Sequence, residues 1–282
     1  DDADFSGNNF YLFTRFAAAD MHLMAPLIII DSKTRQVVSV EALTRWIMHD
    51  GTEVSPTEFI PLAQSNNLIH SITTFVVDEA LAQLAKWHQQ KLMLKINVNL
   101  SASDFQDVFL AQRLINLLAH YKVEAKYLTL EITEGVLIEN IDRAKENINI
   151  LRDAGVNIAL DDFGTGFSSL DYLRTLNINQ LKLDYSFTRN VLNHHKDLAI
   201  MESTIKLAHQ LDCSVTAEGV ESEALNDKLS SIECDFLQGH WLCVPKSAQQ
   251  VTQYILTTGV YSETVEPTRE PNDIIRQSTI HS

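Results

Sequence analysis

The sequence PLIIIDSKTRQVVSVEAL, residues 26–43, determines how the fold begins. It contains two apolar, β-branched runs, PLIIID (26–31) and VVSVEAL (37–43), which are separated by the five residues SKTRQ. Parallel strands need a crossover of about a dozen residues or more, whereas antiparallel strands can be joined by a short turn. The spacing therefore predicts that the first two strands form an antiparallel hairpin.

Six further β-rich runs follow this hairpin and alternate with longer helical patterns. They are LKINVNL (94–100), YLTLEIT (127–133), VNIALDD (156–162), QLKLD (180–184), CSVTAEG (213–219) and CDFLQG (234–239). Such alternation is typical of a mostly parallel sheet with helical crossovers, and eight strands are enough to close it. We predict an α/β fold, a TIM-type (β/α)8 barrel with an antiparallel first strand.

Capping signals predict where some of the helices begin and end. Ser55-Pro56-Thr57-Glu58 combines an N-cap residue, a first-turn proline and a glutamate three residues after the cap, which predicts a helix from Pro56 to about Asn66. The run SSLD at 168–171 resembles a second capping box. Gly155 and Gly259 lie where helices would need a left-handed stop.

The composition indicates one domain with a large core. Of 282 residues, 45% are hydrophobic and 21% are charged, and barrels of this length commonly form a single domain. We predict an N-terminal extension over residues 1–20, the barrel over 21–259 and a polar tail over 260–282.

Charge and cysteine content restrict the partners and the compartment. The formal charge of -15 disfavours binding to an extended nucleic acid. Cys213, Cys234 and Cys243 form no CxxC pair, so we expect reduced packing residues and a cytoplasmic location. The longest apolar run, residues 21–30, is about half of what a spanning helix needs. We therefore expect no membrane contact within this segment, which could still be the cytoplasmic portion of a larger, membrane-anchored protein.

Acidic and amide side chains and one lysine gather at the predicted strand ends, which form the active face of parallel barrels. These candidates are Glu41, Asn99, Glu131, Glu134, Asp161, Asp162, Lys182, Asp184 and Glu218. Carboxylates that converge on one mouth repel one another, and bound cations would relieve this repulsion. Because the candidate ligands are oxygens, Mg²⁺ or Mn²⁺ is favoured over zinc or copper. Adjacent Asp161 and Asp162 could serve two ions about 3.5–4 Å apart, as in two-metal phosphoryl chemistry.

A two-ion site of this kind hydrolyses phosphodiesters by deprotonating a water and neutralising charge on the leaving oxygen. Lys182 would orient the water or a phosphoryl oxygen. Glu218 is a candidate for the general base or for a metal ligand, and the sequence leaves both roles open.

Ordered motifs between about residues 22 and 250 resemble the EAL-domain phosphodiesterases, which linearise cyclic-di-GMP to pGpG. The motifs are Glu41-Ala42-Leu43 with Arg45-Trp46, SPTEFIPLA (55–63), VNLSA (98–102), LEITE (130–134), DDFGTGFSSL (161–170), LKLD (181–184), AEGVE (217–221) and QG (238–239). The opening SGNNFYLFT resembles the end of a diguanylate cyclase (GGDEF) domain over about nine residues.

The resemblance implies a role for each matching residue. The metal ligands would be Glu41, Asn99, Glu131, Asp161, Asp162 and Glu218. Lys182 and Glu218 would be catalytic. Substrate contacts would come from Arg45, Leu43, Gln238 and Asp184, with Glu134 and Glu221 as supporting residues. The intact GTGFSSL loop implies a homodimer formed near residues Asp161–Ser169.

Several positions depart from the family pattern. Met24 and Ala25 replace a usual Tyr-Gln pair, His240 replaces an aromatic residue, Val244 replaces an arginine, and Tyr185 stands where a basic residue is frequent. These changes concern the substrate pocket, so they favour weaker binding over lost chemistry.

Two other functions compete with cyclic-di-GMP hydrolysis. A catalytically weak or inactive barrel could act as a cyclic-di-GMP receptor and signalling module, although such receptors usually lose acidic ligands. Hydrolysis of pGpG or another small phosphodiester is the third possibility, and Ala25 favours it. Asp162-Phe163-Gly164 mimics a kinase metal motif, but no HRD run or GxGxxG loop accompanies it.

Overall fold

A computed structural model describes the protein over residues 23–48, 50–133, 141–164, 173 and 175–261. Its strands are β1 (Leu23–Asp31), β2 (Val37–Thr44), β3 (Trp46–Ile47), β4 (Glu53–Val54), β5 (Lys95–Leu100), β6 (Leu128–Thr133), β7 (Asn157–Phe163), β8 (Gln180–Leu183), β9 (Ser214–Ala217) and β10 (Phe236–Gln238). Eight of them close a barrel in the order β1-β10-β9-β8-β7-β6-β5-β2, and β3 pairs with β4 beside it. The predicted barrel is therefore confirmed.

The helices cover the outside of the barrel. They are α1 (Pro56–Ser65), α2 (Ile69–Gln89), α3 (Leu110–Tyr121), α4 (Ile141–Asp153), α5 (Tyr185–Thr188), α6 (His195–Gln210), α7 (Glu223–Ser231) and α8 (Ala248–Thr258), with short 3-10 turns at Asp104–Gln106 and Ala125–Tyr127. Among the helices within the described ranges, none is both long enough and apolar enough to cross a membrane.

The hairpin predicted at the start of the fold is present. β1 runs antiparallel to both of its neighbours, β2 and β10, while the other barrel strands pair in parallel. The Asp31 carboxylate closes the turn by accepting bonds from the Lys33 and Thr34 amides at 3.0 and 2.7 Å. Arg35 adopts a left-handed φ of 59° in the same turn. The five-residue connection is thus built as a tight turn.

Capping places two helix ends where the sequence predicts them. The Ser55 side chain accepts a bond from the Thr57 amide at the start of α1, which ends at Ser65. Gly259 ends α8 with φ 66°, the left-handed conformation that glycine adopts without strain. The helix predicted to begin near Ser168 lies outside the described residues. The predicted extension over 1–20 and most of the tail over 260–282 lie outside them as well.

The barrel strands divide their side chains between two environments. Apolar residues such as Val40, Val98 and Leu130 are buried toward the helices. Because side chains alternate along a strand, the neighbours Glu41, Asn97 and Glu131 point into the barrel. The interior of this barrel is consequently rich in polar groups, in contrast to the branched apolar layers that usually fill such barrels.

The three cysteines are free and buried, as predicted. Burial raises the pKa of Cys213 to about 11, and burial also raises the pKa of Cys234 and Cys243. Because the thiolate is the reactive form, we expect the native protein to resist a thiol reagent such as DTNB at about pH 8. The denatured chain is expected to release three equivalents of product. Fast labelling of the folded protein would contradict this prediction.

Candidate active site

Lys182 lies at the centre of the barrel mouth, with its side chain 1% exposed. Its Nζ atom is 2.8 Å from Glu218 Oε1, 2.9 Å from Glu131 Oε2, 3.1 Å from Asp161 Oδ1 and 3.4 Å from Glu41 Oε2. These carboxylates come from four different strands or strand ends. Because neighbouring parallel strands end at the same edge of the barrel, acids that are far apart in sequence form one cluster.

Four carboxylates around one ammonium leave an excess of negative charge. Burial, followed by the charge of Glu41, holds the pKa of Glu131 well above its usual value. Burial also raises the pKa of Glu218 to about 7. For Lys182, burial alone would lower the pKa, but the surrounding carboxylates raise it well above its usual value. The cluster is thus short of positive charge, which a divalent cation would supply.

Glu41 is held from three sides. Its Oε1 accepts a bond from Asn99 Nδ2 at 2.7 Å, and its Oε2 accepts one from Gln238 Nε2 at 2.5 Å. Burial alone would raise the pKa of Glu41, yet the Lys182 charge and these amide donors together lower it. Glu41 is therefore kept as a carboxylate, which is the form that binds a cation.

Asp161 and Asp162 reach the mouth together because β7 is irregular at its end. The register between β7 and β8 shifts between Leu160 and Phe163. Asp162 adopts a left-handed φ of 53°, a conformation in which aspartate is enriched, and its amide donates to Asp161 Oδ1 at 3.0 Å. Regular alternation would turn the two side chains to opposite faces of the sheet.

Asp161, Asp162 and Glu218 each offer a carboxylate oxygen, and these three atoms lie within 4.8 Å of one another. Burial, together with the charges of Asp161 and Asp184, raises the pKa of Asp162. A group of oxygen donors this close is able to hold a divalent cation. The structure thus brings together the predicted ligands Glu41, Asn99, Glu131, Asp161, Asp162 and Glu218.

The predicted substrate residues have varied surroundings. Arg45 is partly buried, and its Nε lies 3.0 Å from Glu53 Oε1 in β4. Leu43 is half-buried near the end of β2. Asp184 caps α5 by accepting from the Ser186 amide at 2.9 Å; burial would raise its pKa, but this bond and neighbouring amides lower it.

Other predicted or divergent positions lie at the rim or outside the described residues. Glu221, His240 and Val244 are exposed. Glu134, most of the GTGFSSL loop and the side chains of Met24 and Ala25 lie outside the described residues, so the expectations about them stay predictions.

Asn97 contacts Glu131 in the site, and the sequence did not predict this contact. Its Nδ2 donates to Glu131 Oε1 at 2.8 Å, and its side chain is 1% exposed. The alternation in KINVNL carried the signal, since Asn97 and Asn99 are two residues apart and share one face of β5.

Gly239 allows β10 to approach the loop after β9. A Cβ atom at this position would overlap the backbone N and O atoms of Val220, whose amide donates to Gln238 O at 3.0 Å. We expect Gly239→Ala to lower the free energy of unfolding by about 1–3 kcal/mol or more, because backbone must move. Thermal unfolding followed by circular dichroism measures this effect.

Gly51→Ala is the matched control for that substitution. No atom lies within 4 Å of a Cβ built at Gly51, although its φ is 84°. We expect only backbone strain of about 1–2 kcal/mol there. An unfolding free energy of Gly239→Ala equal to that of the wild type would contradict the predicted overlap with Val220.

Comparisons with known proteins agree with this geometry. The family model described as EAL domain matches residues 17–245. Cyclic di-GMP phosphodiesterase PA2567 of Pseudomonas aeruginosa is 36% identical over 226 residues, which are 80% of this chain and 38% of that protein. Signaling protein YkoW of Bacillus subtilis is 36% identical over 224 residues, which are 79% of this chain and 28% of that protein. The chain thus spans less than two fifths of the length of these relatives.

Solved structures share the fold. The EAL enzyme Bd1971 bound to cAMP and cyclic-di-GMP superposes with a TM-score of 0.83 at 28% identity, over 89% of this chain and 69% of that chain. The PaMucR phosphodiesterase in complex with c-di-GMP gives 0.79 at 33% identity, over 86% of this chain and 99% of that chain. Since the family model matches most of the sequence and the barrel agrees, the chain belongs to the EAL domain family.

Proposed function

We propose that this chain hydrolyses cyclic-di-GMP to linear pGpG with two divalent cations. The observation that carries the proposal is the convergence of Glu41, Glu131, Asp161 and Glu218 on the buried Lys182. The names of the phosphodiesterase PA2567 and of the PaMucR complex with c-di-GMP support the choice of substrate. The ligand set is complete in this chain, which favours an enzyme over a receptor.

The residues present fit a pair of hard divalent cations. The candidate ligands are the oxygens of Glu41, Asn99, Glu131, Asp161, Asp162 and Glu218, and oxygen ligands suit Mg²⁺ or Mn²⁺. The unbalanced negative charge of the cluster is a second argument for cations. When bound, the ions would supply an activated water nucleophile and neutralise charge on the phosphate.

The side chains of the protein would then accept the proton of the attacking water and bind the nucleotide. Glu218, whose carboxylate lies 2.8 Å from Lys182 Nζ, would act as the general base that accepts the proton of the attacking water, or as a further metal ligand. The water oxygen forms the new bond to phosphorus, the P–O3′ bond breaks, and the leaving oxygen takes a proton to give a free hydroxyl. Lys182 holds the carboxylates together, and once cations bind some of these carboxylates it would donate a hydrogen bond to the attacking water or to a phosphoryl oxygen. Arg45, Leu43, Gln238 and Asp184 would contact the nucleotide.

The test is incubation of the purified chain with cyclic-di-GMP and Mg²⁺ or Mn²⁺, with chromatography of the products. We expect pGpG, and no product when EDTA is present. Cyclic-di-GMP that binds but stays intact, as measured by calorimetry, would replace the enzyme with a receptor. Cleavage of pGpG or bis-p-nitrophenyl phosphate without cleavage of cyclic-di-GMP would instead indicate another phosphodiester substrate.

We further propose that the chain forms a homodimer through the region near residues 161–169. The intact DDFGTGFSSL sequence supports this proposal. Sedimentation velocity at several protein concentrations measures the state, and a monomer at every concentration would contradict it.

A further inference from the structure

Asn97 fixes one of the proposed metal ligands from inside the barrel. We propose that Asn97 is a positioning residue, which orients the Glu131 carboxylate for cation binding without touching the cation itself. The Asn97 amide nitrogen donates to Glu131 Oε1 at 2.8 Å, while Glu131 Oε2 accepts from Lys182 at 2.9 Å. This inference rests on the proposed function, because it takes Glu131 to be a ligand.

The two donors approach Glu131 from different directions. In the parallel pairing of β5 with β6, Asn99 lies opposite Glu131 and Asn97 lies opposite Thr129. Asn97 therefore reaches Glu131 from the layer below, whereas Lys182 comes from β8 on another side of the barrel. With one oxygen held by each donor, the carboxylate has a defined rotation about its last bond.

Burial makes this bond hard to replace. Glu131 is 0% exposed and Asn97 is 1% exposed, so bulk water does not reach either side chain. Leaving a buried acceptor without its donor is unfavourable, and more so when the acceptor is charged. Without Asn97, Glu131 Oε1 would lose this donor, and the rotation of the carboxylate would no longer be fixed.

The layer beneath Glu131 is polar where many barrels are apolar. Ser39, Asn97, Thr129 and Gln180 line a cavity of about 40 Å³ at the end of the barrel opposite the mouth. Gln180 Nε2 also donates to Thr216 Oγ1 at 2.7 Å within this region. A polar cavity of this size has room for ordered water, which would solvate Asn97 from below. An asparagine is therefore tolerated at this depth, and its hydrogen bond to Glu131 orients the carboxylate.

The experiment measures metal binding independently of catalysis. Mn²⁺ is titrated calorimetrically into the metal-stripped chain and into Asn97→Ala and Asn97→Val. Loss of a residue that orients a metal ligand typically lowers metal affinity about 10–100-fold, and we expect a loss of about tenfold or more for each variant. We also expect kcat for cyclic-di-GMP to fall while KM changes little.

Thr216→Val is the matched control. It removes a buried hydroxyl from the same polar region, and in the structure that hydroxyl contacts Gln180. We expect this variant to lose thermal stability but to bind Mn²⁺ within about twofold of the wild type, since the Thr216 hydroxyl accepts from Gln180 and does not support a ligand carboxylate. Two Asn97 variants are used so that a folding defect in one leaves the other to be measured by circular dichroism and titration.

The outcomes separate this inference from the proposed function. Wild-type Mn²⁺ affinity in a folded Asn97 variant, or an equal loss in Thr216→Val, would overturn the positioning role. If the wild-type chain fails to cleave cyclic-di-GMP but Asn97→Ala still weakens Mn²⁺ binding, the proposed function fails and the positioning role stands.

Discussion

Replacing Lys182 by methionine is expected to lower the free energy of unfolding of the metal-free protein by about 3–5 kcal/mol, because it removes the cation from a buried ionic cluster. Lys182 is 1% exposed and lies within 3.4 Å of four carboxylates. Methionine has a similar length, so the change removes charge rather than volume. The remaining carboxylates would repel one another or take up protons.

Chemical denaturation in EDTA measures this loss. Saturating Mn²⁺ is expected to restore part of the stability of the variant, because a ligand that binds only the folded state stabilises it. Lys206→Met, at an exposed position of α6, is the control and is expected to change stability by less than about 0.5 kcal/mol. Equal stability of Lys182→Met and the wild type in EDTA would refute the central role of this ammonium.

Glu41→Gln is expected to abolish hydrolysis of cyclic-di-GMP while leaving the fold intact. We expect kcat/KM to fall by at least about 10³-fold, which corresponds to about 4 kcal/mol of transition-state stabilisation. Glutamine keeps the shape of the side chain but binds a hard cation less well than a carboxylate does. Because Lys182 and the Asn99 and Gln238 amides stabilise Glu41 as a carboxylate, we expect the metal-free variant to unfold at a modestly lower temperature than the wild type while remaining folded.

The product assay measures the loss of hydrolysis, and thermal unfolding measures the stability of the variant. Glu124→Gln is the control, since Glu124 is 68% exposed and pairs with Lys126 on the surface. Its activity is expected to match the wild type. Substantial activity in Glu41→Gln would show that Glu41 is not a ligand, and a large loss of stability would show that it is mainly structural.

Much of the fold followed from local sequence patterns. The five residues between Asp31 and Val37 predicted an antiparallel hairpin, because chain length limits how two strands can be joined. Strand positions were also predictable, since most of the runs are short, apolar and rich in β-branched residues, and they alternate with longer helical patterns. The caps at Ser55 and Gly259 were predictable because capping depends on neighbouring residues only.

The details of the site depended on contacts between distant strands. The sequence predicted that Lys182 faces the barrel, but its place among four carboxylates follows from the closure of β8 against β2 and β6 through other strands. The contact of Arg45 with Glu53 and that of Asn97 with Glu131 were not predicted. Each of these pairs involves side-chain directions that strand alternation restricts but does not fix.

The end of β7 shows the limit of the pattern most clearly. Two adjacent aspartates on a regular strand would face opposite sides of the sheet. The sequence did not predict the backbone irregularity that brings both side chains to the barrel mouth. The left-handed φ of Asp162 and the register shift against β8 produce that arrangement. Backbone irregularity of this kind is set by the neighbouring strand.

By itself, the sequence determined the eight barrel strands along the chain, the antiparallel start and the identity of the acids at the strand ends, but not the separate pair β3–β4. Only the tertiary structure decided which of these acids share Lys182, which amide supports which carboxylate, and how Asp161 and Asp162 meet. The physical reason is range. Propensity, capping and turn length act over a few residues, whereas the charge balance of the cluster depends on barrel closure, which pairs residues as distant in sequence as Ile29 and Gln238.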